Sequence, residues 1–216
     1  MLTIRSKKMS SLLVVGVCGD SEWFPPHVKR RMIQKQSAGV KRSVISYEDA
    51  KEWYNFYEGK VAGIFDLTVP QKIVESSRLA VFAPIGLEVL LDNYRQYFPG
   101  KVADYCNENV ARDIVDVAYR NGGQTFTCWV VDDIRQIQET EFSGTDLATK
   151  GFSGITLAER LIFGLQYYQK TGQHMDDGES NLCTGSLSTS INRHPVVRFD
   201  NGWIQILCPN FNLPRY

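Results

Sequence analysis

Short apolar runs alternate with amphipathic segments along the first two thirds of the chain. The runs LLVVGV at 12–17, LAVFA at 79–83 and TFTCWVV at 125–131 are continuous, which is typical of buried strands. KVAGIFD at 60–66 predicts another core strand. Apolar positions at helical spacing lie between these runs, as in LEVLLDNYRQYF at 87–98. This alternation predicts an α/β protein with a mostly parallel sheet and helices on both of its faces.

Capping signals predict where several helices begin and end. Ser46 precedes the segment YEDAKEWYNFY, and Gly59 follows it as a helix stop. A short helix is predicted in VPQKIVESS around Pro70. Asn107 is a predicted cap for a helix that runs to about Tyr119.

The chain changes character after Glu141. The segment FSGTDLATKGFSG at 142–154 is small and polar, which predicts a linker. Thr156 and Glu159 have the spacing of a capping box and open an amphipathic helix that ends at Gly172.

A β-hairpin is predicted near the end of the chain. HPVVRFDNGWIQILC predicts two strands joined by a tight turn at Asp200-Asn201-Gly202. The predicted organisation has three parts: an α/β domain at 1–141, a linker at 142–154, and a helix with a β-hairpin appendage at 155–216.

Composition argues against several classes of protein, including nucleic-acid binders and membrane-spanning proteins. Lysine plus arginine and aspartate plus glutamate number 24 each, and this balance argues against a mainly electrostatic nucleic-acid binder. The apolar runs are too short to span a bilayer. The five cysteines lack C-x-x-C spacing and predict reduced thiols in a cytoplasmic protein, and the three scattered histidines give no metal motif.

The middle of the chain resembles the guanylate kinases, within the P-loop nucleoside-monophosphate kinases. The segments that carry the resemblance are GIFD, VPQKIVESS, LAVFAPI, GLEVLLDNYRQ and VVDDIRQI, in the order in which that family places similar strands and helices. The resemblance covers about residues 11–140. It implies a P-loop kinase-like sheet and a phosphate-binding loop after the first strand.

The predicted phosphate loop departs from the family pattern. Gly16 and Gly19 match the first two glycines of that loop, but Asp20, Ser21 and Glu22 follow. The third glycine, the lysine and the hydroxyl residue next to it are missing, and the two carboxylates would repel phosphate. Because phosphoryl transfer depends on positioning and charge neutralisation, we expect little catalysis from such a loop.

Nine residues are the candidates for binding a nucleotide or another anion. A loop at a helix N-terminus, the basic residues of that helix and an aspartate that ends a core strand select six of them. The other three follow from the resemblance, which implies tyrosines and arginines that hold the guanylate, matched by Tyr47 and Arg42, and an arginine-rich lid, matched by Arg95. Each has a plain structural alternative, namely a turn, a helix cap or a solvated helix face. The candidates are Gly16, Gly19, Ser21, Lys29, Arg30, Arg42, Tyr47, Asp66 and Arg95.

A cysteine in a hydroxyl-rich segment is a further candidate for chemistry. Cys183 lies in NLCTGSLSTS, and a nucleophilic role would require His174 or His194 as its base. A loop held by hydrogen bonds is the interpretation that this composition favours.

The leading functional prediction is a pseudoenzyme: a guanylate kinase-like binding module for a protein partner or a small ligand, with weak or no nucleotide binding and no cofactor. One alternative is a divergent nucleotide kinase or phosphohydrolase, which would use magnesium with its nucleotide. Another is a structural or assembly subunit, in which the hairpin edge pairs with another chain in a homo-oligomer. The last third also resembles a small module of bacterial and phage proteins of unassigned function.

Overall fold

The structure is a computed structural model of the 216-residue chain. The residues that it describes are 14–16, 42–72, 77–104, 110–116, 123–131, 152–175 and 180–208.

Helices and strands are both present throughout these residues. The helices are α1 (Tyr47–Phe56), α2 (Leu87–Tyr97), α3 (Val110–Asp113) and α4 (Leu157–Thr171), with a 3₁₀ helix at Ile64–Asp66. The strands are β1 (Val14–Gly16), β2 (Ser43–Val44), β3 (Thr68–Val69), β4 (Arg78–Phe82), β5 (Val102–Asp104), β6 (Ile114–Asp116), β7 (Phe126–Val131), β8 (Phe152–Gly154), β9 (Ser180–Leu182), β10 (Ser186–Ser188), β11 (Val196–Asp200) and β12 (Trp203–Leu207).

The strands form small, mostly antiparallel sheets. One sheet has the order β4-β7-β1-β8, and all of its pairs are antiparallel. A second has the order β5-β12-β11-β9, in which β12 and β5 are parallel and the other pairs antiparallel. The pairs β10-β6 and β2-β3 are also antiparallel.

The predicted fold class, a mostly parallel P-loop kinase-like sheet with helices on both faces, is therefore wrong. The prediction took continuous apolar runs as parallel strands. Such runs report that both faces of a strand are covered, and an antiparallel strand covered on both faces gives the same pattern. The direction of pairing depends on the connections between strands, and these have no local signal.

Several predicted elements are confirmed. The apolar runs give β1, β4 and β7, and the helical patterns give α1 and α2. The capping box of α4 is present, with the Glu159 amide bonded to the Thr156 hydroxyl and the Glu159 carboxylate bonded to the Thr156 amide. The predicted hairpin is β11-β12, and Asn201 and Gly202 take the left-handed conformation that its turn requires.

Two predicted elements are wrong. The segment 60–66 is not a strand, because Gly63 takes a left-handed conformation and the chain turns into the 3₁₀ helix. The helix predicted from Asn107 to Tyr119 is only α3 in the described residues, since the chain continues as β6 and pairs with β10. In the second case, pairing with a distant strand outweighs local helix propensity.

Helix α4 lies at the centre of the core. Nine of its residues are buried, from Leu157 to Gln166 with the exception of Ala158, so the helix is covered on almost every side. It contacts α2, β4 and β11. The Tyr94 hydroxyl of α2 donates a hydrogen bond to the carbonyl of Leu161 at 2.7 Å, which fixes the two helices against each other.

The N-terminus of α4 is held by a close contact between two backbone segments. The Gly185 amide donates to the carbonyl of Ile155 at 2.9 Å, and the Leu157 amide donates to the Ser186 hydroxyl at 2.8 Å. A Cβ atom at Gly185 would lie 2.5 Å from the carbonyl oxygen of Gly154. Only glycine fits at this contact.

Strands from both sides of the predicted division near residue 141 share three of the four sheets. Strand β8, formed by the last three residues of the predicted linker, pairs with β1; β10 pairs with β6; and β12 pairs with β5. The predicted appendage hairpin is flanked on both sides, by β5 and β9. It therefore lacks the free edge that the assembly-subunit alternative requires of it.

Candidate functional site

A groove of about 540 Å³ opens where α2, α4 and the β11-β12 hairpin meet. Its walls carry four aromatic or imidazole rings, one lysine, one glutamine and small or aliphatic residues. The lining residues are Phe98, Lys101, Tyr168, Gly172, Gln173, His174, Phe199, Gly202 and Ile204.

Backbone hydrogen bonds fix the segments that form the groove. After α2, the Lys101 amide donates to the carbonyl of Phe98 at 3.0 Å, and the Lys101 carbonyl accepts from the Ile204 amide at 2.8 Å. Helix α4 ends at Gly172, whose φ of 71° lies in the left-handed region and whose amide donates to the carbonyl of Tyr168. The chain bends there and continues to His174.

The four rings lie against one another around His174. Its imidazole stacks on the ring of Phe199, with centroids 3.7 Å apart and planes 16° from parallel. The ring of Tyr168 is 4.7 Å from His174, and that of Phe98 is 5.1 Å from it. Phe98 and Tyr168 meet edge to face at 4.8 Å. These contacts hold the rings as one aromatic wall.

A smaller cavity continues inward from the groove. It shares His174, Phe199 and Ile204 with the groove, and its inner end is lined by Arg160 and Tyr94. Its free volume of about 10 Å³ is close to the space of one water molecule. Arg160 is 2% exposed, so its guanidinium belongs to the core.

The absence of a side chain at Gly164 makes room for this guanidinium. A Cβ atom at Gly164 would lie 2.2 Å from Nη1 of Arg160 and 2.9 Å from the hydroxyl of Tyr94. The guanidinium therefore lies over the helix at Gly164, beside the hydroxyl that joins α2 to α4. A larger residue at this position would displace it.

The other cations of the groove and its inner cavity differ in their partners. Arg198 donates from Nε to the Gln205 amide oxygen at 2.6 Å, and its Nη2 lies 4.0 Å from a carboxylate oxygen of Asp200. Lys101 is exposed and forms no ion pair with any carboxylate in the described part of the chain. The described lining residues of the groove and its cavity include no aspartate or glutamate.

Four of the nine predicted anion-binding residues, Gly19, Ser21, Lys29 and Arg30, lie outside the described residues. Gly16 ends β1, between β7 and β8. A phosphate loop after this strand thus stays a prediction.

The remaining four predicted residues are exposed and none lines the groove. Arg42 precedes β2, Asp66 ends the 3₁₀ helix, and Arg95 of α2 pairs with Asp92 at 2.8 Å. Tyr47 opens α1.

The ring of Tyr47 belongs to an exposed aromatic contact. It lies 5.8 Å from the ring of Phe65, which in turn lies 5.5 Å from Tyr54. Because Phe65 directly precedes Asp66, the structure brings Tyr47 and Asp66 into one region. Arg42 and Arg95 lie on other elements.

Sequence reasoning missed the groove because its rings come from three distant segments. The sequence pattern predicts Phe98 at the end of a helix, and it offers His174 only as a base for Cys183. The one available signal was a concentration of aromatic residues at the ends of α2 and α4 and in the hairpin.

Part of the hydroxyl-rich segment after Cys183 forms strand β10, and the predicted hydrogen-bonded loop is limited to the residues that follow this strand. The Asp113 carboxylate accepts from the Ser188 hydroxyl, from the Thr189 hydroxyl at 3.0 Å, and from the Ser190 amide and hydroxyl at 2.7 and 2.9 Å. The hydrogen bond from Ser188, followed by those from Ser190 and Thr189, holds the pKa of Asp113 below its usual range, although partial burial opposes this. His194 Nδ1 lies 2.7 Å from the carbonyl of Ser186.

We expect Asp113→Asn to destabilise the fold by about 1–2 kcal/mol at pH 7, since an amide cannot accept all of these hydrogen bonds. The folded pKa of Asp113 lies below its unfolded value, so its contribution is full above the ordinary aspartate pKa of about 3.9 and is lost progressively as the pH falls from there through the folded pKa. Urea unfolding of wild type and variant at pH 7, 5, 4 and 3 should show a gap that closes toward pH 3. Asp92→Asn, on the exposed surface of α2, is the control, and an equal effect there would contradict the role of Asp113.

Within the described residues, no group of three or more histidine, cysteine, aspartate or glutamate side chains could hold a metal ion, and no helix has the length and apolar character to cross a membrane. Comparison of the chain with family models, with curated proteins and with solved structures finds no match in any of the three.

Proposed function

We propose that this protein is a binding module for a small planar ligand, which it takes into the aromatic groove. The observation that carries the proposal is the aromatic wall around His174, which lines an open groove of about 540 Å³. Small-molecule sites are concave, largely apolar or aromatic, and contain a few polar groups that orient the ligand. Four of the nine lining residues carry aromatic or imidazole rings, and Lys101 and Gln173 supply polar side chains beside His174.

The chemistry of the wall favours a flat ring over an aliphatic ligand. An aromatic face gains offset or edge contacts with another π-system in addition to the area that it buries. Stacking of a base on an aromatic side chain contributes about 1–3 kcal/mol per ring. The volume of the groove, about 540 Å³, is within the range of about 300–1,000 Å³ that ligand sites occupy, and this range includes sites for two-ring compounds and nucleoside monophosphates.

The proposal keeps the small-ligand part of the leading prediction and gives it a different location. A nucleotide remains a candidate through its base rather than through a phosphate loop. We also propose a cytoplasmic location, which is supported by the absence of a disulfide bond at each of the described cysteines, Cys128, Cys183 and Cys208.

Thermal unfolding with a panel of planar compounds tests this function. The panel contains 2-naphthoate, 2-naphthamide, 2-naphthyltrimethylammonium, indole-3-carboxylate and the four common nucleoside 5′-monophosphates, with cyclohexanecarboxylate as the non-planar control. A probe at a hundred times its Kd should stabilise the fold by about 2.7 kcal/mol, which raises Tm by about 5 °C or more. The proposal is wrong if no planar probe raises Tm at millimolar concentration, or if the cyclohexane compound does so equally.

A further inference from the structure

We infer that the ligand of the aromatic groove is a heterocycle with a hydrogen-bond donor next to an acceptor on its edge, as in lactams and nucleobases, and that Gln173 pairs with this edge. The inference rests on the proposed function and adds a chemical class of ligand to it. It depends on the polar side chains of the groove and on their hydrogen-bond partners.

Three side chains of the groove carry polar groups that form no hydrogen bond within the described part of the chain. They are the ammonium of Lys101, the hydroxyl of Tyr168 and the carboxamide of Gln173. A ring that covers such groups displaces the water that solvates them, and binding is weakened unless the ring replaces those hydrogen bonds. A plain hydrocarbon ring cannot replace them. The groove therefore favours a ring with polar atoms on its edge.

Gln173 differs from the other two residues because its side chain donates and accepts through neighbouring atoms. An ammonium only donates, and a hydroxyl has one oxygen atom for both roles. The carboxamide places an oxygen atom beside an NH₂ group in one plane, so it can form two parallel hydrogen bonds with a ring edge that has a donor next to an acceptor. The same geometry lets glutamine pair with the edge of adenine in DNA.

The backbone of Gln173 is held in place by the end of α4. Its amide donates to the hydroxyl of Thr171 at 3.1 Å, and this hydroxyl donates to the carbonyl of Tyr167 at 2.8 Å. Gln173 lies between Gly172, where the helix ends, and His174, which is the centre of the aromatic wall. The carboxamide therefore belongs to the segment that carries the wall, and it lines the same groove.

Two neutral probes with the same ring system isolate the hydrogen-bonding edge. Quinolin-2(1H)-one has an N–H group beside its carbonyl, and 1-methylquinolin-2-one has a methyl group in place of that hydrogen. Their Kd values are measured by calorimetry on the full chain. We expect the first to bind at least about fivefold more tightly than the second, since the methyl compound leaves the carboxamide oxygen without a donor. Because both probes are uncharged, the comparison does not depend on the charge around the groove.

The variant Gln173→Met tests whether the carboxamide is responsible. The substitution changes an exposed side chain, keeps its length and removes its polar atoms. We expect the two quinolinones to bind this variant with Kd values within about twofold of each other, because neither can pair with the methionine. A preference that came from the size of the methyl group would persist in the variant.

The matched control is Gln169→Met, in the last turn of α4. Gln169 is exposed, donates to the hydroxyl of Tyr97 at 2.6 Å and does not line the groove. This variant should keep the wild-type preference for quinolin-2(1H)-one. An equal loss of preference in Gln169→Met and Gln173→Met would contradict the assignment to Gln173.

The outcomes separate the inference from the function on which it rests. If the two quinolinones bind wild type equally, or if their difference persists in Gln173→Met, the inference is wrong and the ring-binding function stands. The same conclusion follows if members of the thermal panel bind and neither quinolinone does. If neither quinolinone binds and the whole panel also fails, the function itself is wrong.

Discussion

Gly185→Ala is expected to destabilise the protein by about 3 kcal/mol or more, a large fraction of the 5–15 kcal/mol that stabilises a typical domain. A Cβ atom at this position would lie 2.5 Å from the carbonyl oxygen of Gly154 and 2.8 Å from the carbonyl carbon of Ile155. Both atoms belong to the backbone, so no side-chain rotation can relieve the overlap. The two segments must separate, and the hydrogen bond from Gly185 to Ile155 is lost with that separation.

The consequence extends to α4, because this contact immediately precedes its capping box. Urea unfolding followed by circular dichroism gives the change in the free energy of unfolding. Gly86→Ala is the matched control, since nothing lies within 4 Å of a Cβ atom there and the residue is the N-cap of α2. We expect a loss below about 1 kcal/mol at Gly86. Equal losses at the two glycines would show that the backbone contact at Gly185 is not close.

Phe199→Leu is expected to weaken binding of a planar probe about tenfold or more. Leucine keeps most of the volume that packs beneath the groove, but it has no aromatic face for His174 or for a ligand. The loss of one stacking face corresponds to about 1–3 kcal/mol of binding free energy. The measurement is the Kd of the panel member that raises Tm most, by calorimetry.

The control for Phe199→Leu lies on the neighbouring strand of the same hairpin. Trp203 is 44% exposed and does not line the groove, although it pairs in register with Asp200, the residue after Phe199. Trp203→Leu should therefore leave the Kd within twofold of wild type. If both variants weaken binding equally, the ligand does not lie against Phe199, and the hairpin as a whole is responsible for the effect.

The parts of the fold that could be predicted from the sequence are those with a local physical cause. The capping box at Thr156, the helix stop at Gly172 and the hairpin turn at Asn201-Gly202 each depend on residues within a few positions, and all three are present. The apolar runs also predicted β4 and β7, because the signal lies within the strands themselves. A strand that is covered on both faces is apolar at nearly every position, and the buried Thr127 of β7 satisfies its hydroxyl with a hydrogen bond to the carbonyl of Thr68.

Pairing between distant segments could not be predicted in this way. Strand β6 pairs with β10 about 70 residues later, and the Asp113 carboxylate that precedes β6 holds the loop after β10. Nothing near residue 114 distinguishes this strand from the continuation of a helix. The prediction of a parallel sheet was wrong for the same reason: the apolar pattern carries no information on which strands pair or in which direction.

The groove could not be predicted for the same reason, because it forms between segments that are distant in the sequence. Phe98, His174 and Phe199 are far apart in the sequence, and each has an ordinary local explanation as a helix end, a loop residue or a strand residue. The bend that follows α4, the parallel pairing of β12 with β5, and the hydrogen bond between Lys101 and Ile204 bring the rings together.

The central claim is that a planar ligand binds against the aromatic wall, and the imidazole signal of His174 tests it most directly. The chain has three histidines, so their ring protons give a simple NMR spectrum, and His174→Gln identifies the signal of interest. Titration with 2-naphthoate should move the His174 signal in a saturable manner through the ring current of the probe. The signal of His194, which is held near the carbonyl of Ser186, should stay in place. A probe that binds and leaves the His174 signal unmoved, or that fails to bind at all, would contradict the account.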